Sequence, residues 1–317
     1  MKRSWAGYFL ARVVVAAIVT ALLSAATSAA PVPAAQVAIA GNATAGPVFP
    51  VTVHSGDGNV TIQARPVRIL CLSPSATQMV YALGAGPQVI GVDEYSSWPA
   101  DAPRTKFTGA ETSAEDYLPL RPDLVVLSYP SGAIVQQLRE LKVPVLVLPA
   151  ATTFAAVYSQ LAELAAATGH GAAVGAVEAS MKEDISAATH KAGSAARGDS
   201  YYIEIDPTYY TATSKTFIGA EFSLFGMRDI ADPAGRLSAY PQISAEYILK
   251  TNPDYVFLAD TVCCQQTPAG FAHRPGFSVL AAVRLHHVIG VNDSVASEWG
   301  PHTIETLVAL LADTLRS

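Results

Sequence analysis

Short apolar runs alternate with amphipathic stretches along most of the chain, and one long amphipathic stretch divides them into two sets. That stretch is Gly171 to Ala196, where Val174, Val177, Met181 and Ile185 recur at three- and four-residue steps among alanines and charged positions. The spacing predicts a single helix with one buried face. Before it, Arg68 to Leu72, Val89 to Val92, Asp123 to Leu127 and Val143 to Leu148 read as strands. Helices are predicted from Ser73 and Pro74 to Gly84, over Gly132 to Leu141 and over Thr153 to Thr168, the first with a serine cap and a proline in its first turn. After it, Tyr201 to Ile205, Tyr255 to Leu258 and His287 to Val291 are strands, separated by helices at Phe217 to Phe225, Ala245 to Leu249 and Phe277 to Val283. A helix from His302 to Leu315 closes the chain. Strand and helix in alternation build parallel sheets whose strand-end loops lie at one edge. The expected fold is α/β: two Rossmann-like lobes with parallel-sheet cores joined by one long backbone helix, with the function between them.

The N-terminus adds three pieces. Lys2 and Arg3 precede an apolar run from Tyr8 to Leu23, and small residues follow to Ala30, the order of a secretory signal peptide. An uncleaved membrane anchor is the rival reading of the same run. Residues 31–66 hold an Ala/Pro/Gly leader and a hairpin, Phe49 to Val53 with Val60 to Ile62 around Ser55-Gly56-Asp57-Gly58. The expected divisions are signal peptide 1–30, leader and hairpin 31–66, N-terminal lobe 67–170, linking helix 171–196 and C-terminal lobe 197–317.

The two sets of elements share a repeat. SAEDYLPLRPDLVVLS, from Ser113 to Ser128, aligns without a gap to SAEYILKTNPDYVFLA, from Ser244 to Ala259, with eight of 16 positions identical. Each serine can cap a short helix whose first turn carries a glutamate, Glu115 or Glu246. The two carboxylates therefore occupy matching places on the two lobes. They are either support for the helix ends or a pair of charges that docks on a partner spanning both.

Composition narrows the function. Of the 317 residues, 15% are charged and the net charge is -6, which leaves no basic surface for nucleic acid. No dinucleotide fingerprint, phosphate loop or G-x-S-x-G elbow occurs, so no resident cofactor and no catalytic residue are expected. The carboxylates and histidines on the loops, Asp93, Glu111, Glu298, His286, His287 and His302, have no spacing that marks a metal site. Cys71 lies in a predicted strand as a buried thiol, whereas Cys263 and Cys264 stand in a loop able to face the cleft, as thiols or as a strained vicinal disulfide.

Aromatic residues carry the remaining signal. Trp98, Tyr129, Tyr209, Tyr210, Tyr240 and Trp299 fall in or beside loops on both lobes, a set suited to a sizeable organic ligand. Ser73 and Ser75, on a strand-to-helix turn, offer a cap or a ligand contact.

In FPVTV with NVTI, RILCLSPSATQMVYALGAG, VIGVDEYSSWP, RPDLVVLS, FIGAEFSLFG, YPQISAEYILKTNPDYVFLAD and RPGFSVLAAVRLHHVIGVND, the chain resembles the periplasmic solute-binding proteins with a helical backbone that serve ABC importers of vitamin B12, haem and ferric siderophores. The resemblance spans Phe49 to Arg316. It implies a secreted, extracytoplasmic or periplasmic monomer that holds a metal chelate between its lobes, with Ser73, Ser75, Trp98, Tyr129, Tyr209, Tyr240, Glu298, Trp299 and His302 in the contact regions. It also implies that Glu115 and Glu246 engage arginines on the two halves of an ABC permease. SEWGPH, from Ser297 to His302, places Glu298 and His302 where many siderophore binders carry arginines, so a neutral ferric hydroxamate is favoured, then a cobalamin-like corrinoid, over an anionic catecholate. The alternatives of another class are a secreted serine-dependent hydrolase and a non-transport module that binds a protein partner.

Overall fold

A computed structural model describes residues 48–108, 113–129 and 133–316. The signal segment, most of the leader and Glu111 lie outside the described residues. Among those described, no helix is long and apolar enough to cross a membrane.

The hairpin comes first, β1 (Val51–Ser55) antiparallel to β2 (Gly58–Ile62), with Val51 opposite Ile62. Its turn docks on the first lobe: Gly56 N–H donates to the Val147 carbonyl at 2.8 Å, and Val147 N–H donates to Ser55 Oγ at 2.9 Å. The lobe runs β3 (Ile69–Leu72), α1 (Pro74–Ala82), β4 (Val89–Val92), α2 (Ala114–Tyr117), β5 (Leu124–Leu127), α3 (Ile134–Glu140), β6 (Val145–Val147) and α4 (Phe154–Thr168). Its four strands are parallel in the order β4-β3-β5-β6. All residues of β3, β5 and β6 are buried, as expected of strands covered on both faces.

The dividing helix is shorter than its sequence pattern. α5 covers Val174–Ala192, after a 3₁₀ turn at Gly171–Ala173, and ends where Gly193 takes φ 65°. Met181, Ala188 and Ala192 are its buried positions, one narrow stripe against the closing helix.

The second lobe contains β7 (Ser200–Glu204), α6 (Phe217–Leu224), β8 (Arg228–Asp229), α7 (Ala245–Thr251), β9 (Tyr255–Leu258), α8 (Pro268–Ala272), α9 (Ala281–Arg284), β10 (Val288–Gly290), α10 (Asp293–Ser297) and α11 (Pro301–Thr314). Its sheet is parallel in the order β10-β9-β7-β8. Numbered within each lobe, both sheets run 2-1-3-4, so the repeated segments occupy equivalent places, with α2 leading to β5 and α7 to β9. β8 has two residues and no apolar run, which is why the pattern does not announce it.

The lobes are tied by more than α5. One continuous core cluster includes Met79 of α1, Leu161 of α4, Met181 of α5, Phe222 of α6 and Leu307 of α11. Lys191 at the end of α5 pairs with Asp313 of α11 at 2.5 Å.

Candidate ligand-binding site

The carboxyl ends of both parallel sheets open on one cavity of about 860 Å³. In open α/β sheets this is where loops diverge and ligands are held. On the first lobe, the end of β3 and the start of α1 supply Ser73, Pro74 and Ser75. The loop after β4 supplies Asp93 and Tyr95, and the end of β5 supplies Ser128 and Tyr129. On the second, α6 presents Phe217 and Ile218, the loop after β9 presents Val262 and Cys263, and Tyr240 stands at the rim. Asp293, Glu298 and Trp299 complete the wall where the chain returns toward the first lobe.

Both serines line the cavity and are also bonded within the fold. Ser73 Oγ caps α1 by accepting Ala76 N–H at 3.3 Å and also accepts from Ser128 Oγ at 2.7 Å. Ser75 Oγ accepts Trp299 N–H at 3.0 Å. Among the described residues no histidine lines the cavity.

Trp299 and Glu298 join the lobes at the cavity floor. The indole Nε1 donates to Gln160 Oε1 of α4 at 2.9 Å. Gln78 of α1 donates from Nε2 to Glu298 Oε2 at 2.5 Å and to Thr303 Oγ1 at 2.8 Å, while its Oε1 accepts Thr303 N–H at 3.0 Å. Gly300 permits this approach, because a Cβ at that position would overlap the Gln78 side chain.

Two carboxyls of the wall are pushed out of the ordinary range. Burial raises Asp93 to about 6, against hydrogen bonds from Ser96 that lower it. Burial raises Glu298 to about 7, and the Asp93 charge adds to the rise. Asp293 goes the other way: partial burial raises it, but the N–H groups of Val262 and Cys263, at 2.8 and 2.7 Å, hold it below the usual carboxylate range. Among the described residues the lining contains no arginine, lysine or histidine.

The aromatic set divides. Tyr129 meets Trp299 edge-on, with ring centroids 6.2 Å apart. Tyr129 and Tyr240 stand part-exposed at the open rim, and partial desolvation by the groups around them raises both phenols. Trp98 and His302 do not line the cavity: their rings stack at 5.0 Å against each other, with Tyr81 edge-on to Trp98 at 6.4 Å. Tyr209 packs inside the second lobe against Phe277 at 6.2 Å and beneath the Arg274 guanidinium at 5.5 Å. Position along the chain cannot separate these cases: Trp98 and Tyr209 follow strand ends and His302 stands in the first turn of α11, yet all three rings pack on other side chains. Phe217, Ile218 and Asp293 enter the wall without having been singled out. The first two read as ordinary core positions of an apolar helix, and only the second lobe's topology brings them to the cleft.

Comparison with known proteins agrees with this geometry. Residues 69–295 match the periplasmic binding protein family. A cobalamin-binding protein of Halobacterium salinarum is 31% identical over 95% of this chain and 83% of its own. An ABC transporter substrate-binding lipoprotein of Bacillus subtilis is 30% identical over 81% of this chain and 83% of its own. In structure, the apo periplasmic heme-binding protein RhuT from Roseiflexus sp. RS-1 superposes with a TM-score of 0.70 at 22% identity, covering 79% of this chain and 98% of its own. The chain belongs to the periplasmic binding protein family, as an extracytoplasmic two-lobe solute-binding protein.

Proposed function

We propose that this protein is the solute-binding component of an ABC importer and that its cargo is a neutral metal chelate fringed by amide groups, a cobalamin-like corrinoid. The observation that carries the reading is the cavity wall: three carboxyls, Asp93, Asp293 and Glu298, several hydroxyls, three tyrosines, Tyr95, Tyr129 and Tyr240, and no basic side chain among the described residues. Haem carries two propionates, and a tris-catecholate siderophore carries net negative charge. Either would be desolvated against carboxylates with no cation opposite, an arrangement costing several kcal/mol. The carboxamide N–H groups of a corrinoid instead meet acceptors, and its flat macrocycle meets Tyr129, Tyr240 and Trp299. The relatives named for cobalamin, one of them aligned over nearly the whole chain, support the same cargo. A ferric hydroxamate is also neutral and is the second reading, favoured by charge alone.

Delivery uses the two matched glutamates. Glu115, in the first turn of α2, and Glu246, in the first turn of α7, are both exposed. Their helices are capped by Ser113 and Ser244, so each carboxylate is presented on a fixed helix end. In this reading they dock on basic sites of the two permease halves.

Uptake of labelled cyanocobalamin in the native host tests it. Deleting the gene should abolish high-affinity uptake and the wild-type gene should restore it. Uptake unaffected by deletion contradicts the assignment.

A further inference from the structure

β9 runs into a tight loop, residues 260–267, in which two cysteines stand side by side. Cys263 is exposed in the cavity wall and Cys264 is half-buried behind it. The loop is held from two sides. The Asp293 carboxylate accepts the N–H groups of Val262 and Cys263, at 2.8 and 2.7 Å. The Asp260 carbonyl accepts those of Cys264 and Gln266, both at 3.3 Å. Partial desolvation, the Cys264 thiol and the Asp293 carboxylate push the Cys263 thiol well above the ordinary thiol range, so that thiol rests protonated until an oxidant arrives. Cys263 contributes surface to the cavity wall, but neither binding nor docking uses the thiol chemistry of the pair.

Adjacent residues have Cα atoms about 3.8 Å apart, closer than the roughly 4.4–6.8 Å of an ordinary disulfide. A bridge between them is therefore strained, and strained bridges are the readily reduced ones. The protein works outside the cytoplasm, where disulfides form.

We propose that Cys263 and Cys264 are a reversible redox modification site that reshapes the cavity wall, oxidised by a low-molecular-weight disulfide. One cysteine thiol loses its proton and attacks a sulfur of the oxidant, forming a mixed disulfide and expelling one thiolate. The neighbouring cysteine, also deprotonated, attacks the protein sulfur of that mixed disulfide and expels the second. Two protein thiols and one external disulfide become one vicinal disulfide and two external thiols, with two electrons and two protons passed to the oxidant.

Closing the bridge strains the wall. Side chains of successive residues in a helical turn diverge by about 100°, so joining them rotates the intervening peptide. That rotation carries the Cys264 N–H off the Asp260 carbonyl and pulls on the neighbouring peptide that Asp293 holds through Val262 and Cys263. Val262 and Cys263 then leave their places against the cargo, and oxidation weakens binding. The effect on cargo rests on the cavity being the binding site, whereas the modification itself does not.

The test treats the purified mature protein with oxidised glutathione and follows intact mass and thiol alkylation. The expected product is about 2 Da lighter, has lost two alkylatable thiols and is restored by dithiothreitol. Cyanocobalamin should then bind the oxidised form about threefold or more weakly than the reduced form, and the Cys263→Ser/Cys264→Ser variant should show no redox response. Thiols that stay alkylatable, glutathione that stays attached without ring closure, or equal affinity of the two forms overturns the proposal. If cyanocobalamin binds neither form, the cargo assignment fails on its own. The modification is then judged by amide hydrogen exchange of residues 260–267, which should quicken on oxidation; unchanged exchange overturns it.

Discussion

Gln78 and Glu298 lie 220 positions apart in the chain, and the Gln78 Nε2 donates to the Glu298 carboxylate at 2.5 Å across the junction of the two lobes. Both side chains are buried, and Thr303 completes the group by bonding to each. The contact fixes the cavity floor and places the returning chain against α1.

Gln78→Ala removes three hydrogen bonds, takes the partner from the Thr303 N–H and leaves the Glu298 Oε2 with the Thr303 hydroxyl alone of its two side-chain donors. The expected loss of stability is about 1–3 kcal/mol, seen as a lower midpoint in urea unfolding. An unchanged midpoint would mean that the junction is solvated rather than locked.

Asp93 and Glu298 make opposite predictions for stability and for binding. Both are raised by burial, to about 6 and about 7, so the folded protein favours the neutral acids. Their contribution to stability is fully present below the ordinary carboxylate range and is lost as pH rises through about 6 and about 7. Amide donors on the cargo favour the ionised forms, so affinity should rise about tenfold between roughly pH 5.5 and 8. Titrations of wild type and Glu298→Gln check this: the variant should show the shallower slope in both profiles.

The rim aromatics and the stacked pair should respond differently. Tyr129→Ala and Tyr240→Ala should each weaken cargo binding by about five- to thirtyfold, the loss of an aromatic anchor. Trp98→Ala should leave affinity within about twofold, since its ring stacks on His302 outside the cavity. Calorimetry on the three variants distinguishes the wall from its surroundings.

Reversing the charges at Glu115 and Glu246 together, each to Arg, should abolish uptake while cargo affinity stays within about twofold. Each substitution costs its exposed helix start less than about 1 kcal/mol, so folding is retained. Uptake and calorimetry on the same variant separate docking from binding, and normal uptake contradicts the docking role.

Much of this architecture is legible in the sequence because buried parallel strands read as unbroken apolar runs. The Ser-Ala-Glu and Pro-Asp positions of the repeat likewise reveal matching α2–β5 and α7–β9 units. The wall is less legible. Tyr129, Tyr240, Glu298 and Trp299 follow from loop position and chemistry, whereas Trp98 and Tyr209 share that position, and His302 opens α11, yet all three pack on other partners. The Arg274–Glu204 ion pair, closed by two bonds of 2.6 Å, joins residues 70 apart and has no local signature. Asp93 directly follows a predicted strand, but its burial and raised pKa come from neighbours that only the folded chain assembles.

The central claim is that an acidic wall without basic side chains selects a neutral amide-fringed chelate. Its most direct test is calorimetric titration of the mature protein with cyanocobalamin, haemin and ferrioxamine under identical conditions at neutral pH. Cyanocobalamin should bind with a Kd of about 1 μM or tighter and haemin at least about a hundredfold more weakly, with ferrioxamine between them. Haemin binding as tightly as cyanocobalamin, or cyanocobalamin failing to bind, would contradict the account.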